Sequence, residues 1–284
     1  MLHAIFEPGF FSSSPVHTAL LVGGLVPLVS ATVGVFTVMR GQSFAGEALG
    51  DIGAAGGSSA YLAGVAPLWG FLVVAVGAAG VMELIGIQRT RGRDLATGIV
   101  LGAGFGLAAL FLYLGTTSSN TTGAAITILF GSVFVLSSGT APAAVALAGV
   151  ALVLMAALYR PLLLISVSPD LAAARGVPVR LIGALYLLAM AVAVALSALT
   201  IGAVLSTALL VGPAATALQL TTRPSLTIVT AGLIGVLVTW LGILLAYDSY
   251  YWPPVHSGWP VSFFVVTLVL IGYVVARVAS GRRA

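Results

Sequence analysis

Two carboxylates lie one helical turn apart in a stretch with no basic residue. Glu47 and Asp51 occur in the segment SFAGEALGDIGAAGG. A charged side chain near the centre of a bilayer costs about 2.5–3.5 kcal/mol on insertion scales, and like charges at positions i and i+4 repel each other. The simplest partner for such a pair is a cation that binds and then leaves. The spacing therefore predicts a transient site for a divalent cation, and with it a role in transport.

The two carboxylates are not equivalent candidates. Glu47 lies about 10 Å along a helix from Arg40 at 1.5 Å per residue, which favours a position near a hydrated interface, whereas Asp51 lies deeper. Carboxylate oxygens suit hard cations such as Mn²⁺, and Zn²⁺ sites more often include His or Cys. We therefore rank Asp51 first and Glu47 second as metal ligands. No permanently bound cofactor is expected.

A third acidic residue, Glu83, is a secondary metal candidate. It lies in VMELIGIQRTR, close to Arg89 and Arg91. One interpretation is that Glu83 extends the ion path; the other is that it pairs with one of these arginines at the membrane interface. The residue types alone favour the ion pair slightly, and both interpretations stay open.

The composition identifies an all-α polytopic membrane protein. Of the 284 residues, 60% are hydrophobic and only 6% are charged, against about 25% charged residues in soluble domains. The chain contains no Cys, which excludes disulfides and thiolate metal ligands. It also contains no Lys, which a phosphate-binding P-loop requires. Any ATP hydrolysis must therefore come from a separate subunit, and we expect no enzymatic activity in this chain.

The apolar runs predict about nine transmembrane helices, within a range of eight to ten. The runs fall at 19–39, 44–66, 68–88, 95–115, 142–159, 181–199, 201–220, 225–247 and 261–279. The arginines are Arg40, Arg89, Arg91, Arg93, Arg160, Arg175, Arg180, Arg223, Arg277, Arg282 and Arg283. With nine alternating spans and the N-terminus outside, all of them fall on one side, which the positive-inside rule assigns to the cytoplasm.

This arrangement has consequences for organisation and location. We expect residues 1–284 to form a single transmembrane domain with the C-terminus in the cytoplasm. The net charge of +4 follows the topology, so the lipid bilayer is the expected partner and nucleic acid is not. Segment 124–139 is too short for a span, and counting it would reverse the arginine pattern. We therefore predict a partial or re-entrant helix on the outer side.

Small residues recur at helical spacing in two places. Gly46 and Gly50 lie one turn apart, and Gly98, Gly102 and Gly106 continue the pattern in a later segment. Such ladders let membrane helices approach closely. We interpret both as packing faces.

The longest loop on the arginine side predicts a short capped helix. Ser168 suits the N-cap, Pro169 the first helical position and Asp170 the positive end of the helix dipole. Arg175 suits the last turn and Gly176 the stop. A short helix held between two spans is either a docking element for a cytoplasmic partner or a turn in the chain, and taken alone the residues do not favour one over the other.

The ordered set of motifs resembles the permease subunits of bacterial zinc/manganese ABC importers, over nearly the whole chain. The resemblance rests on SFAGEALGDIGAAGG, RTRGRDLATGIVLGAGFGL, LFGS, SPDLAAARGVPVR, IGAVLSTALLVGPAATAL and SYYWPPVHSGWP, in that order. In the family, the second-span motif usually carries an acidic residue and then a His four positions later, with Ser before the His. Glu47 matches the acidic position, Gly50 stands for the Ser, and Asp51 stands for the His. Ala55 or Gly56 stands where the family often has Pro.

The resemblance implies a type II importer-like permease in the bacterial cytoplasmic membrane, with three protein partners. Its implied cargo is manganese or zinc, with iron as a further option. A cytoplasmic ABC ATPase is expected on the loop helix at residues 169–176, where charge or bulk introduced at Ala173 should uncouple it. An extracytoplasmic metal-binding protein is expected on the outer surface, where His256 and Asp248 are candidate contacts. A second permease copy, most simply in a homodimer, would share the metal path.

Three other functions are compatible with parts of the sequence. A proton-coupled secondary metal carrier could use the same carboxylates, but its usual inverted repeat is not evident. A permease for iron chelates or cobalamin would need a wide path, which the short chain and the carboxylate pair disfavour. A membrane scaffold without transport activity leaves the carboxylates unexplained.

Overall fold

A computed structural model describes residues 14–85, 90–119, 123–131, 133, 139–250 and 258–281. Within these ranges the regular elements are α-helices. They are α1 (Ser14–Met39), α2 (Ser43–Leu62), α3 (Pro67–Ile85), α4 (Thr90–Ser119), α5 (Gly123–Phe130), α6 (Thr140–Val167), α7 (Pro169–Ala174), α8 (Val179–Ile201), α9 (Ser206–Leu220), α10 (Pro224–Ser249) and α11 (Val261–Gly281).

Among the described residues, seven helices are long and apolar enough to cross a membrane, namely α1, α3, α4, α6, α8, α10 and α11. The all-α, multi-pass architecture is therefore confirmed. The predicted count of nine exceeds this number because two helices differ from the rest. Helix α2 is rich in glycine and carries both carboxylates, and α9 has only 15 residues.

The centre of the bundle is formed by α1 and α8, whose apolar windows are the most deeply buried of the seven. A buried hydrogen bond joins them, with 2.7 Å between the hydroxyl oxygens of Ser30 and Ser197. Helices α3, α4, α6, α10 and α11 lie at the periphery and expose large apolar side chains, including Val73, Leu110 and Val153. An apolar outer surface of this kind is what a helix bundle presents to lipid.

The helix α5 lies in the segment predicted to be partial or re-entrant, and it has eight residues. Its end packs against the break between α8 and α9. The Ala203 amide donates to the Ile128 carbonyl at 3.0 Å, and the Val204 amide donates to the Leu129 carbonyl at 3.3 Å. Gly202 adopts a φ of 90° at this break, where only glycine is free of strain. Non-helical backbone is thus paired within the protein, as a membrane interior requires.

The helix α7 has the predicted caps. The Ser168 hydroxyl accepts a hydrogen bond from the Leu171 amide at 3.2 Å, and Pro169 occupies the first turn together with Asp170. Arg175 follows the last helical residue, and Gly176 ends the turn with a φ of 78°. Only Ala172 of the helix is buried, so most of α7 is exposed on the surface of the chain.

Candidate functional site

Helix α2 carries both carboxylates and is enclosed because its glycines let neighbouring helices approach. A methyl group at Gly46 would lie 2.6 Å from the Leu210 side chain of α9. At Gly50 it would lie 2.9 Å from the Ser206 hydroxyl oxygen and 3.5 Å from the Val194 side chain of α8. The prediction that Gly46 and Gly50 form a close-packing face is confirmed.

The second predicted glycine ladder does not pack against the described part of the chain. Gly98, Gly102 and Gly106 of α4 are exposed, and a methyl group at any of them would meet no described atom within 4 Å. The close approach occurs instead at Gly104. A methyl group there would lie 2.6 Å from the Ile52 amide nitrogen. The backbone of α4 therefore rests directly on the backbone of α2 beside Asp51, and the other three glycines face away.

Asp51 is buried at this contact, with 8% of its surface exposed. Its Oδ2 atom is buried and accepts no hydrogen bond from any residue in the described part of the chain. A buried carboxylate oxygen without a donor costs free energy that a folded protein normally avoids. A transient ligand is one means of satisfying it, and an oxygen-binding cation fits the chemistry of the group.

Glu47 has the opposite surroundings, since it is exposed on the surface of the chain. It lies in an open groove of about 510 Å³ between α2, α9 and α11. The groove is otherwise apolar or weakly polar, being lined by Ser43, Phe44, Thr207, Ala208, Val211, Gly212, Ala215, Val266, Val269, Leu270 and Tyr273. Glu47 is therefore the one formal charge among the described residues that line this groove.

Glu83, the third acidic candidate, does not form a three-residue group with Glu47 and Asp51. Glu83 is half-buried near the end of α3. Among the described residues, no group of three or more His, Cys, Asp or Glu side chains is arranged to hold a metal ion. Arg89 lies outside the described residues, as does the side chain of Arg91, so the alternative ion pair with Glu83 stays a prediction.

The candidate contacts for a binding protein lie near the connection between α10 and α11. Asp248 is 6% exposed, close to the end of α10. Next to it, the Ser249 hydroxyl donates to the Ala246 carbonyl at 2.6 Å and accepts from the Trp259 amide at 2.8 Å. His256 lies outside the described residues. Burial gives Asp248 little surface to offer directly to another protein.

Sequence reasoning missed three features of this region. Gly104 lies on a different helical face from Gly98, Gly102 and Gly106, so the spacing of that ladder does not indicate it. Gln42 is 1% exposed, and within the described ranges its side-chain oxygen accepts no hydrogen bond. Its position five residues before Glu47 is the feature of the sequence that could have pointed to it. The sequence predicts that Arg40 lies at the cytoplasmic interface; the structure adds that its guanidinium carbon lies 4.8 Å from the ring centre of the fully buried Tyr186.

Comparison with known proteins gives consistent matches. A manganese transport system membrane protein, MntC, from Halalkalibacterium halodurans is 29% identical over 289 residues, covering 98% of this chain and 96% of that protein. MntC from Listeria monocytogenes is 29% identical over 244 residues, covering 86% and 85% of the two chains.

A chain of the solved PsaBC complex from Streptococcus pneumoniae with a Fab has the same fold. It superposes with a TM-score of 0.80 at 22% sequence identity, covering 97% of this chain and 95% of that one. The model of the ABC 3 transport family matches residues 13–276. The chain therefore belongs to the ABC 3 transport family and is a multi-pass ABC transporter permease.

Proposed function

We propose that this chain is the membrane-spanning subunit of an ATP-driven importer for a divalent metal ion, with manganese as the first candidate and zinc or iron as alternatives. The buried Oδ2 atom of Asp51, which lacks a hydrogen-bond donor among the described residues, carries the proposal. The relatives named as manganese transport proteins support the choice of metal. In this proposal α2 and α9 complete nine spans, with the N-terminus outside and the C-terminus in the cytoplasm.

The metal station is formed by Asp51 and Glu47. Asp51 supplies the buried oxygen, and Glu47, in the open groove, supplies the carboxylate that a passing cation meets at the surface of the chain. Two carboxylates are few for Mn²⁺, which favours octahedral oxygen coordination. Weak coordination suits a transport site, because an ion must enter and also leave. A second copy of the chain would double the number of carboxylates.

A homodimer is supported by the exposed face of α4. Gly98, Gly102 and Gly106 form a stripe of small residues that no described element covers, and small-residue stripes let membrane helices associate. The same helix contacts α2 beside Asp51 through Gly104. Two α4 helices packed on these stripes would form the dimer contact, with each α2 on the far side of its own α4.

The dimer is tested by a single cysteine, which is unambiguous because the chain has none of its own. Gly102→Cys should form a disulfide-linked dimer in native membranes on mild oxidation, since stripe residues at the contact lie within disulfide reach. Leu84→Cys, which is also exposed but lies on α3, is the matched control and should stay monomeric. Equal cross-linking of both variants would contradict the α4 interface.

The exposed helix α7 is the proposed docking element for the ATPase. Its caps hold it rigid, and Ala173 is exposed between them. Ala173→Trp should disrupt docking and lower the transport-coupled ATPase rate, while Ala157→Trp, at an exposed position in the apolar part of α6, should not. An extracytoplasmic metal-binding protein would dock on the opposite side, near the loop that contains His256.

The deciding experiment measures ATPase activity of the reconstituted complex with its ATPase and binding protein. Mn²⁺, Zn²⁺ and Fe²⁺ are supplied side by side through the binding protein. We expect stimulation by at least one of these ions, and loss of stimulation in Asp51→Asn with assembly retained. Metal uptake that follows a proton gradient without ATP would contradict the proposal and favour a secondary carrier.

A further inference from the structure

The turn between α1 and α2 is a joint held by backbone hydrogen bonds. Gly41 has a φ of 62°, and its amide donates to the Val38 carbonyl at 3.1 Å. The Gln42 amide donates back to the Thr37 carbonyl at 2.9 Å, while the Gln42 carbonyl accepts from the Ala45 amide at 3.0 Å. These bonds join the last turn of α1 to the first turn of α2. A displacement of the joint must therefore displace the start of α2.

One side chain of this joint is stacked against α8. The Arg40 guanidinium lies over the Tyr186 ring at 4.8 Å from its centre, inside the limit of about 6 Å for a cation–π contact. Tyr186 is fully buried, and its hydroxyl lies 2.7 Å from the Thr37 hydroxyl oxygen. It also donates to the Val33 carbonyl at 3.4 Å. The ring is thereby held in place by α1 while its face receives Arg40.

The position of Tyr186 along α8 decides which helices this contact connects. It lies seven residues after the first residue of α8, about 10 Å along the helix. Helix α8 follows the exposed α7 after only four residues, 175–178. On the other side of the contact, Glu47 and Asp51 lie four and eight residues after the first residue of α2. The stack therefore joins the helix that follows α7 to the helix that carries both carboxylates.

We infer that the stack of Arg40 on Tyr186 is a positioning contact that makes the α1–α2 joint follow α8, so that movement begun at α7 reaches Glu47 and Asp51. This inference rests on the proposed function. A planar guanidinium stacks on an aromatic ring over a broad area, whereas an ammonium acts as a point charge. The contact requires the ring of Tyr186 and the guanidinium of Arg40, and the Tyr186 hydroxyl contributes less.

The first measurement is the ratio of Mn²⁺-stimulated to basal ATPase activity in the reconstituted complex. Tyr186→Leu removes the ring and should lower this ratio about fivefold or more, the lower end of typical coupling between sites. Tyr186→Phe keeps the ring and should stay close to the unmodified protein. Arg40→Gln should behave as Tyr186→Leu does, and Arg40→Lys should fall between. Because Arg40 is only half-buried, its variants test the contact even if Tyr186→Leu fails to fold.

Ser197→Ala is the matched control, since it removes a different buried hydrogen bond between α1 and α8. It should leave the ratio near its original value. If Ser197→Ala lowers the ratio as much as Arg40→Gln, general packing of α1 on α8 explains the effect and the inference is wrong. Equal loss in Tyr186→Phe and Tyr186→Leu would also overturn it, because the hydroxyl would then be the essential group.

A second measurement does not depend on metal stimulation. Spin labels at Phe44→Cys and Leu181→Cys, both exposed positions, report the distance between α2 and α8 with and without ATP. With the stack in place, the distribution of distances between the two labels should be narrow. Arg40→Gln should broaden this distribution, and Ser197→Ala should not. Unchanged distances in Arg40→Gln would overturn the inference. Absence of metal stimulation in the unmodified complex, with the distances as expected, would instead remove the proposed function and leave the contact.

Discussion

Glu47 and Asp51 lie one turn apart on α2, yet they occupy opposite surroundings. Asp51 is enclosed where the α4 backbone rests on α2, and its Oδ2 atom receives no hydrogen bond from the described residues. Glu47 is exposed in an open groove between α2, α9 and α11. Helical spacing can therefore place two carboxylates on one side of a helix although only one of them is buried. In the proposed function, Asp51 is the residue that holds the ion, and Glu47 is the exposed carboxylate one turn away.

The contrast between the two carboxylates is tested most strongly by Asp51→Asn. This change keeps the shape of the side chain but removes its charge, so uptake should fall by more than about tenfold, since even changes beyond the direct ligands of a metal typically cost 10–100-fold. The measurement is Mn²⁺ accumulation in cells, with the amount of assembled complex as a check. Uptake equal to that of the original protein would remove Asp51 from the metal station.

The enclosure of α2 is tested by Gly104→Ala. The added methyl group would lie 2.6 Å from the Ile52 amide nitrogen and 2.9 Å from the Asp51 carbonyl carbon, and overpacking against backbone costs about 1–3 kcal/mol. The midpoint of thermal unfolding in detergent should therefore fall. Gly98→Ala is the matched control, because it meets no described atom within 4 Å and replaces glycine by the best helix former; its midpoint should stay or rise. The opposite order would mean that α2 is not closely packed.

The role of the exposed carboxylate, Glu47, is tested by Glu47→Gln. Water screens an exposed charge, and exposed pairs interact weakly, so we expect uptake to fall about fivefold or less. The readout is the concentration dependence of uptake. A loss as large as that of Asp51→Asn at all concentrations would erase the distinction between the two residues.

The smallest expected effect is at Val266, which lines the Glu47 groove on α11. Val266→Ala enlarges an already open groove without moving a charge, so the affinity for Mn²⁺ should stay nearly unchanged. Val266→Glu should raise apparent affinity, because a second carboxylate beside Glu47 provides another oxygen ligand. Mn²⁺ uptake at low concentration distinguishes these outcomes. No gain in Val266→Glu would indicate that ions do not pass through this groove.

Several features followed from the sequence because they depend on local chemistry. The apolar runs determined a multi-pass helical protein, since an unpaired backbone is too costly in lipid. The caps of α7 at Ser168 and Gly176 were predictable because capping depends on a few neighbouring residues. The spacing of Glu47 and Asp51 placed them on one helical side, and Gly46 with Gly50 indicated a close contact.

Only the tertiary structure decided which of these features are enclosed and by what. Spacing on α4 indicated Gly98, Gly102 and Gly106, but the close approach uses Gly104, because the rotation of a helix depends on its neighbours. The burial of Asp51 and the exposure of Glu47 likewise follow from where α4, α9 and α11 lie. Arg40 had the pattern of an interface residue, and only the position of α8 brings it onto Tyr186. The contact of Arg40 with Tyr186 joins residues more than a hundred positions apart, and local sequence carries no record of that pairing.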